Sequence, residues 1–366
     1  MATSEAWFPG VKEIFDRLQD AWHGEARQWT FGRLPGDHVL GGQEPIADRA
    51  VKPNEEYVGI SLRSLWIVNT RVGWTTFYPA VHAFVSAPAF IGQDVEFHVL
   101  TTPANIKELT TQGLDRVIVG DQRLLGPIPY WGGDLRLELA LFAIKAEDLA
   151  APFLAVLGDL SAAAGGAFAA TALAFAGPLK NGIALLTRGA SNSLEIGYFA
   201  DAQQPRTGYY AAVRGEGIAL EELWLNQGYL IDGRGQPLRN APYFVFSIDA
   251  TPSRADWRQL PGLEDAWSAV TRAGKDADGD KLDNAYARVK RIIRASDDLL
   301  TRQMDEIIAE LQPRYEQLRV GSLGPLEAAV APVGLDRIEL PSLRGSPAQP
   351  TAAREVEPVA VEPPAP

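Results

Sequence analysis

Between Asp159 and Lys180 the chain carries no charged residue, and the bulky side chains in and beyond that stretch are periodic. Phe168, Phe175, Leu179, Ile183 and Leu186 recur at intervals of seven, four, four and three, which gathers them on one side of a helix and leaves mostly alanine around the rest. Upstream, Leu149, Phe153, Leu157 and Leu160 repeat at four, four and three, so a second helix over residues 146–163 comes first, with Gly165 and Gly166 as the turn. The uncharged stretch is about as long as a helix needs to cross a bilayer. Alanine adds little to membrane partition, however, and Gly165, Gly166 and Pro178 would break or bend a spanning rod. The pattern predicts a helical hairpin over residues 146–188, packed on the protein's own sheet.

Near the start, Val11, Ile14, Phe15, Leu18 and Trp22 form one face of an amphipathic helix. Docking on the protein's own sheet is the ordinary reading of that face. A groove on another protein is the functional one, with Val11, Phe15, Leu18 and Trp22 as the contacts. Over residues 56–69 the period changes to two: Val58, Ile60, Leu62, Trp66 and Val68 point one way, and Ser61, Arg63 and Asn69 the other. Strand signals return at residues 74–86, at Val95, Phe97 and Val99, and at residues 116–119, with a short connecting helix over 103–112 and turns over 126–133. Leu135, Leu137, Leu139 and Leu141, with Arg136 and Glu138 opposite, mark the clearest strand, and it leads straight into the hairpin. The hairpin is therefore read as an insertion between two strands of one sheet. Further strands follow at residues 193–199, 209–214, 222–226, 229–232 and 242–249, with turn chemistry at Asn226-Gln227-Gly228 and Asp232-Gly233.

Many short strands without regular βαβ alternation predict an α+β protein built on an antiparallel β-sandwich, C2-like or jelly-roll-like. That domain spans residues 1–250, including the N-terminal amphipathic helix and the inserted hairpin. A helical unit follows over 251–325, where residues 263–271, then Leu282, Ala285, Val289, Ile292 and Ile293, then Leu300, Met304, Ile307, Ile308 and Leu311 form successive helical faces. Ser296 with Asp297 and Asp298 has cap chemistry, and Pro313 follows the last periodic residue. Residues 326–366 are rich in Pro, Ala and Glu and read as a disordered tail.

Composition narrows the function. A globular profile is expected from 46% hydrophobic and 22% charged residues, and the formal charge of −12 argues against a nucleic-acid partner or an anionic membrane surface. With no cysteine, disulfides, thiolate catalysis and cysteine-ligated metals are excluded. The opening residues show no positive segment followed by an apolar run, so the expected location is cytoplasmic.

Catalytic and nucleotide motifs do not complete. Gly274-Lys275 has Ala269 where a phosphate loop needs its first glycine, and Gly215-x-Gly217 and Gly233-x-Gly235 each end on leucine, at Leu220 and Leu238. Gly189-Ala190-Ser191-Asn192-Ser193 lacks the closing glycine of a nucleophile elbow, and no histidine follows His98. His82 and His98 fall on neighbouring strands, where ordinary hydrogen-bonded histidines are the simpler reading than a metal pair. Asp276, Asp278, Asp280 and Asp283 resemble the start of a calcium loop, in which alternate carboxylates converge on a hard cation. Lys281 stands where that loop needs glycine and Ala287 where it needs glutamate, so a solvated turn between helices is the competing reading. No cofactor is expected.

Residues 223–257 combine a hairpin, a second glycine turn, an apolar strand and a polar exit with Arg254, Asp256 and Trp257. This stretch resembles, in general style, non-catalytic modules of bacterial signalling and defence proteins, and no functional residue transfers with the likeness. Arg254 and Asp256 are read as a pair opening the helical unit, or with Trp257 as a contact for a partner. The expected function is a non-enzymatic protein–protein interaction or regulatory module. One alternative is a membrane-inserting or pore-forming protein acting through the 149–186 hairpin. Another is an enzyme with an acidic site that spacing rules miss, for which carboxylates gathered around His82 or His98 would be the sign. Oligomeric state is left open.

Overall fold

The computed structural model describes residues 29–41, 44–68, 71–72, 75–88, 95–101, 118–145, 193–215 and 217–321. The amphipathic helix with Val11, Phe15, Leu18 and Trp22, the helix over 103–112, the hairpin over 146–188 and the tail over 326–366 lie outside the described residues.

The strands are β1 (Trp29–Arg33), β2 (Tyr57–Trp66), β3 (Arg71–Val72), β4 (Thr75–Ala87), β5 (Val95–Thr101), β6 (Ile118–Pro129), β7 (Leu135–Lys145), β8 (Ser193–Gln203), β9 (Gly208–Arg214), β10 (Leu223–Asn226), β11 (Tyr229–Asp232) and β12 (Tyr243–Thr251). A first sheet has the order β1-β9-β12-β2-β6, and a second runs β3-β4-β7-β8 with β5 also on β4. Every strand pair in both sheets is antiparallel. The strands on either side of the hairpin segment, β7 and β8, are direct neighbours.

Alternation decides which side chains meet between the sheets. Leu135, Leu137, Leu139 and Leu141 of β7 and Val81, Ala83 and Val85 of β4 share one apolar core with Val58, Ile60 and Leu62 of β2 and Phe244, Phe246 and Ile248 of β12. Each fully buried Val, Leu, Ile or Phe among these contributes about 1.5–3 kcal/mol, so this core is the main stabilising term of the sheets.

Two strands depart from the sequence pattern for identifiable reasons. In β2, Leu62 pairs with Phe246 but Ser64 pairs with Val245, so Arg63 is an extra residue in a β-bulge. The bulge inverts the alternation. Leu65 and Ile67 take the core side, Trp66 moves to the opposite face, and Val68 is exposed, which corrects the placement of Trp66 and Val68 beside Val58. Strand β6 continues to Pro129 through Gly126 and Pro127, where turns were expected. It is the edge strand of its sheet, the position where a residue without an N–H is tolerated. Strand β1 carries no clear periodic signal and is added at the other edge by pairing with β9.

The outer face of the first sheet is covered at one end by the β10–β11 hairpin. Leu223, Leu225 and Leu230 pack there on Tyr209, Ala211, Val213, Trp66, Tyr243 and Val245. The tight turn at Gln227 and Gly228 needs φ of 50° and 86°, which explains the glycine. Residues 44–56 are tied along the same sheet: the Tyr209 hydroxyl donates to the Glu44 carbonyl at 2.6 Å, and Arg49 grips the Glu56 carboxylate with two bonds of 2.7 Å.

Three helices follow: α1 (Leu263–Lys275), α2 (Gly279–Arg294) and α3 (Thr301–Gly321). Leu263, Trp267 and Val270 of α1, Leu282, Tyr286, Val289 and Ile293 of α2, and Ile307 and Leu311 of α3 build a core of their own with Trp257. Two sequence expectations change here. Pro313 lies inside α3, not after it, because the turns beyond it still have work on the core: Tyr315 stacks on Tyr286 at 4.2 Å, and its hydroxyl donates to Asp283 at 2.5 Å. Ser296 does not cap α3 either. Its hydroxyl accepts from the Asp298 N–H at 3.2 Å within the connecting turn, and the helix begins only at Thr301. Among the described residues no helix is long and apolar enough to cross a membrane.

Candidate functional site

The outer face of the first sheet is covered at its second end as well. There the Tyr57 hydroxyl meets the Leu300 backbone at the start of α3. Between that joint and the β10–β11 hairpin the sheet carries polar residues in register. Tyr209 of β9 lies opposite Ser247 of β12, Ser247 opposite Ser61 of β2, and Ser61 opposite Arg123 of β6, so one row crosses four strands. The next row on that face sets Asp249 opposite Gly59.

Two guanidinium groups close over this floor. Arg63 shares the face of Ser61 by alternation: its Nε donates to the Ser247 hydroxyl at 2.8 Å, and its guanidinium carbon stands 5.9 Å from the centre of the Tyr209 ring. Arg123 crosses from the edge strand and reaches both Asp249 oxygens through Nη1 alone, at 3.2 Å each. Gly59 makes the crossing possible, since a β-carbon there would lie 2.0 Å from Arg123 Nη1 and 2.8 Å from Asp249 Oδ1. Ser61 and Ser247 are buried beneath, while the Arg123 and Asp249 side chains stay 40% and 24% exposed. Beside the bulge, the buried Ser64 hydroxyl has no hydrogen-bond partner among the described residues. Among the described residues this polar array brings together two planar guanidinium groups, one carboxylate and two buried hydroxyls.

The residues singled out from sequence lie elsewhere. Arg254 is fully buried, donating from Nε and Nη2 to the two Asp256 oxygens at 2.7 and 2.9 Å and from Nη1 to the Asp298 carbonyl at 3.2 Å. Gln303 clamps its backbone from both sides, at 3.1 and 2.8 Å. Trp257 is equally buried, in the helical core. Arg254 and Trp257 therefore brace the helices from inside, and of the three only Asp256 reaches the surface.

Of the four aspartates, Asp276 follows the end of α1, and Asp278 caps α2 by accepting from the Lys281 N–H at 3.0 Å. The Lys281 ammonium bonded to the Asp278 carboxylate, and after it the Lys281 N–H, hold this carboxyl below its ordinary value. Asp280 sits in the first turn of α2, and Asp283 turns away to Tyr315. Among the described residues no group of three or more histidine or acidic side chains is arranged to hold a metal.

His82 and Glu138 are placed as diagonal neighbours on one face of the second sheet, since His82 pairs with Ala140 and Phe84 with Glu138. Both are buried, and Arg136 pairs with Glu138 at 2.6 Å. His98 lies opposite Phe84 on β5. Sequence reasoning missed Arg123 and Asp249, 126 residues apart, because no spacing rule reaches across β6, β2 and β12. The one legible signal was that Ser61 and Arg63 share the polar side of β2. Comparison of the chain with protein-family models, with curated proteins and with solved structures finds no match.

Proposed function

We propose that the chain is a non-enzymatic protein–protein interaction or regulatory module, an antiparallel β-sandwich of C2-like or jelly-roll-like kind whose helical unit engages a protein partner. The observation that carries this reading is the joint between helices and sheets. Among the described residues the helical core takes none before Trp257, and the two apolar clusters of the sheets take none after Ala250. Among the described residues two hydrogen bonds link them: the Leu300 N–H donates to the Tyr57 hydroxyl at 2.8 Å, and Arg302 donates to the Pro252 carbonyl at 2.5 Å. A unit with its own core and a hydrogen-bonded seat is presented by the sheets and not absorbed into them, and such seams inside a chain behave like transient interfaces. The outer side of α2 carries exposed Arg288 and Arg291, cations on an acidic chain that suit an acidic partner surface. A place in bacterial signalling or defence is the setting that the likeness of the 223–257 stretch supports.

The test is purification of the untagged full-length chain from its native host. A stoichiometric protein partner is expected, released by Arg288→Glu with Arg291→Glu while the fold is unchanged by circular dichroism. An inert monomer by size exclusion, with no stoichiometric partner, overturns the reading.

A further inference from the structure

No further inference is drawn: the strongest candidate, the outer face of the second sheet, where Ala80, Phe84, Ala140 and Phe142 are buried beside His82 and Glu138, carries nothing, because nothing among the described residues shows what covers it.

Discussion

Tyr57 and Leu300, 243 residues apart, share a 2.8 Å hydrogen bond in which the Leu300 backbone N–H donates to the phenol oxygen. Leu300 also starts α3, its carbonyl accepting from the Met304 N–H at 3.0 Å. The first N–H groups of a helix have no partner within the helix, and here the sheet supplies one. Tyr57→Phe keeps the ring and removes the acceptor, leaving a buried N–H unpaired, which costs about 1–3 kcal/mol. Urea denaturation read by tryptophan fluorescence should show that loss. A midpoint equal to the parent's would mean that the joint is held by something else.

Stability at high pH should fall for a related reason. Burial raises the Tyr57 and Tyr243 phenols well above the ordinary 10.0 and pushes Tyr286 up to about 12. A phenol that holds its proton more tightly when folded stabilises fully below the ordinary value, and that contribution is lost as pH climbs toward the folded one. The melting temperature should therefore be flat approaching pH 10 and decline toward pH 12, with a shallower decline in Tyr286→Phe.

At the acid end Glu56 is the group to watch. Burial works to raise its carboxyl, but the Arg49 hydrogen bonds, the Lys52 N–H at 2.9 Å and the attached charges outweigh this, so it titrates below 4.5. A depressed carboxyl stabilises above its unfolded value and loses that contribution as pH falls through the folded one. Arg49 is 41% exposed, so solvent limits the effect to about 1 kcal/mol or less. Glu56→Gln should lie below the parent near neutrality and converge with it under acid, as measured by melts across a pH series.

Gly59→Ala tests the crossing of Arg123 directly. The added carbon would meet Nη1 at 2.0 Å, and the flexible guanidinium should swing away at a cost of about 1 kcal/mol or less. In a double-mutant cycle with Asp249→Asn, the two losses should not add, because each removes the same pair. Strict additivity would place the glycine's role elsewhere.

Pro313→Ala should stabilise the chain. Pro313 is exposed within α3 and cannot donate to the preceding turn, a defect that costs up to about 3 kcal/mol in a helix interior. A raised melting temperature with Tyr315 still stacked on Tyr286, read by near-ultraviolet dichroism, is the expected result.

Period alone located most of the described elements. The alternation of Leu135, Leu137, Leu139 and Leu141 puts those side chains in the shared core, and the spacing of Leu282, Val289 and Ile293 puts them on the helical seam. It failed where a neighbour overrode the pattern. Trp66 changed face because β2 has one more residue than β12 needs, and Pro313 stayed helical because Tyr315 and Leu318 had partners to reach.

The sequence by itself determined the element types, the antiparallel character and the division between strands and the later helices, since these follow from which residues along a short stretch must leave water. Only the tertiary structure decided that Arg123 would cross Gly59 to Asp249 and that Arg63 would reach Ser247. Those contacts join strands far apart in the chain, and their geometry is set by cross-strand register and one bulge, which cooperative pairing chooses and local pattern does not encode.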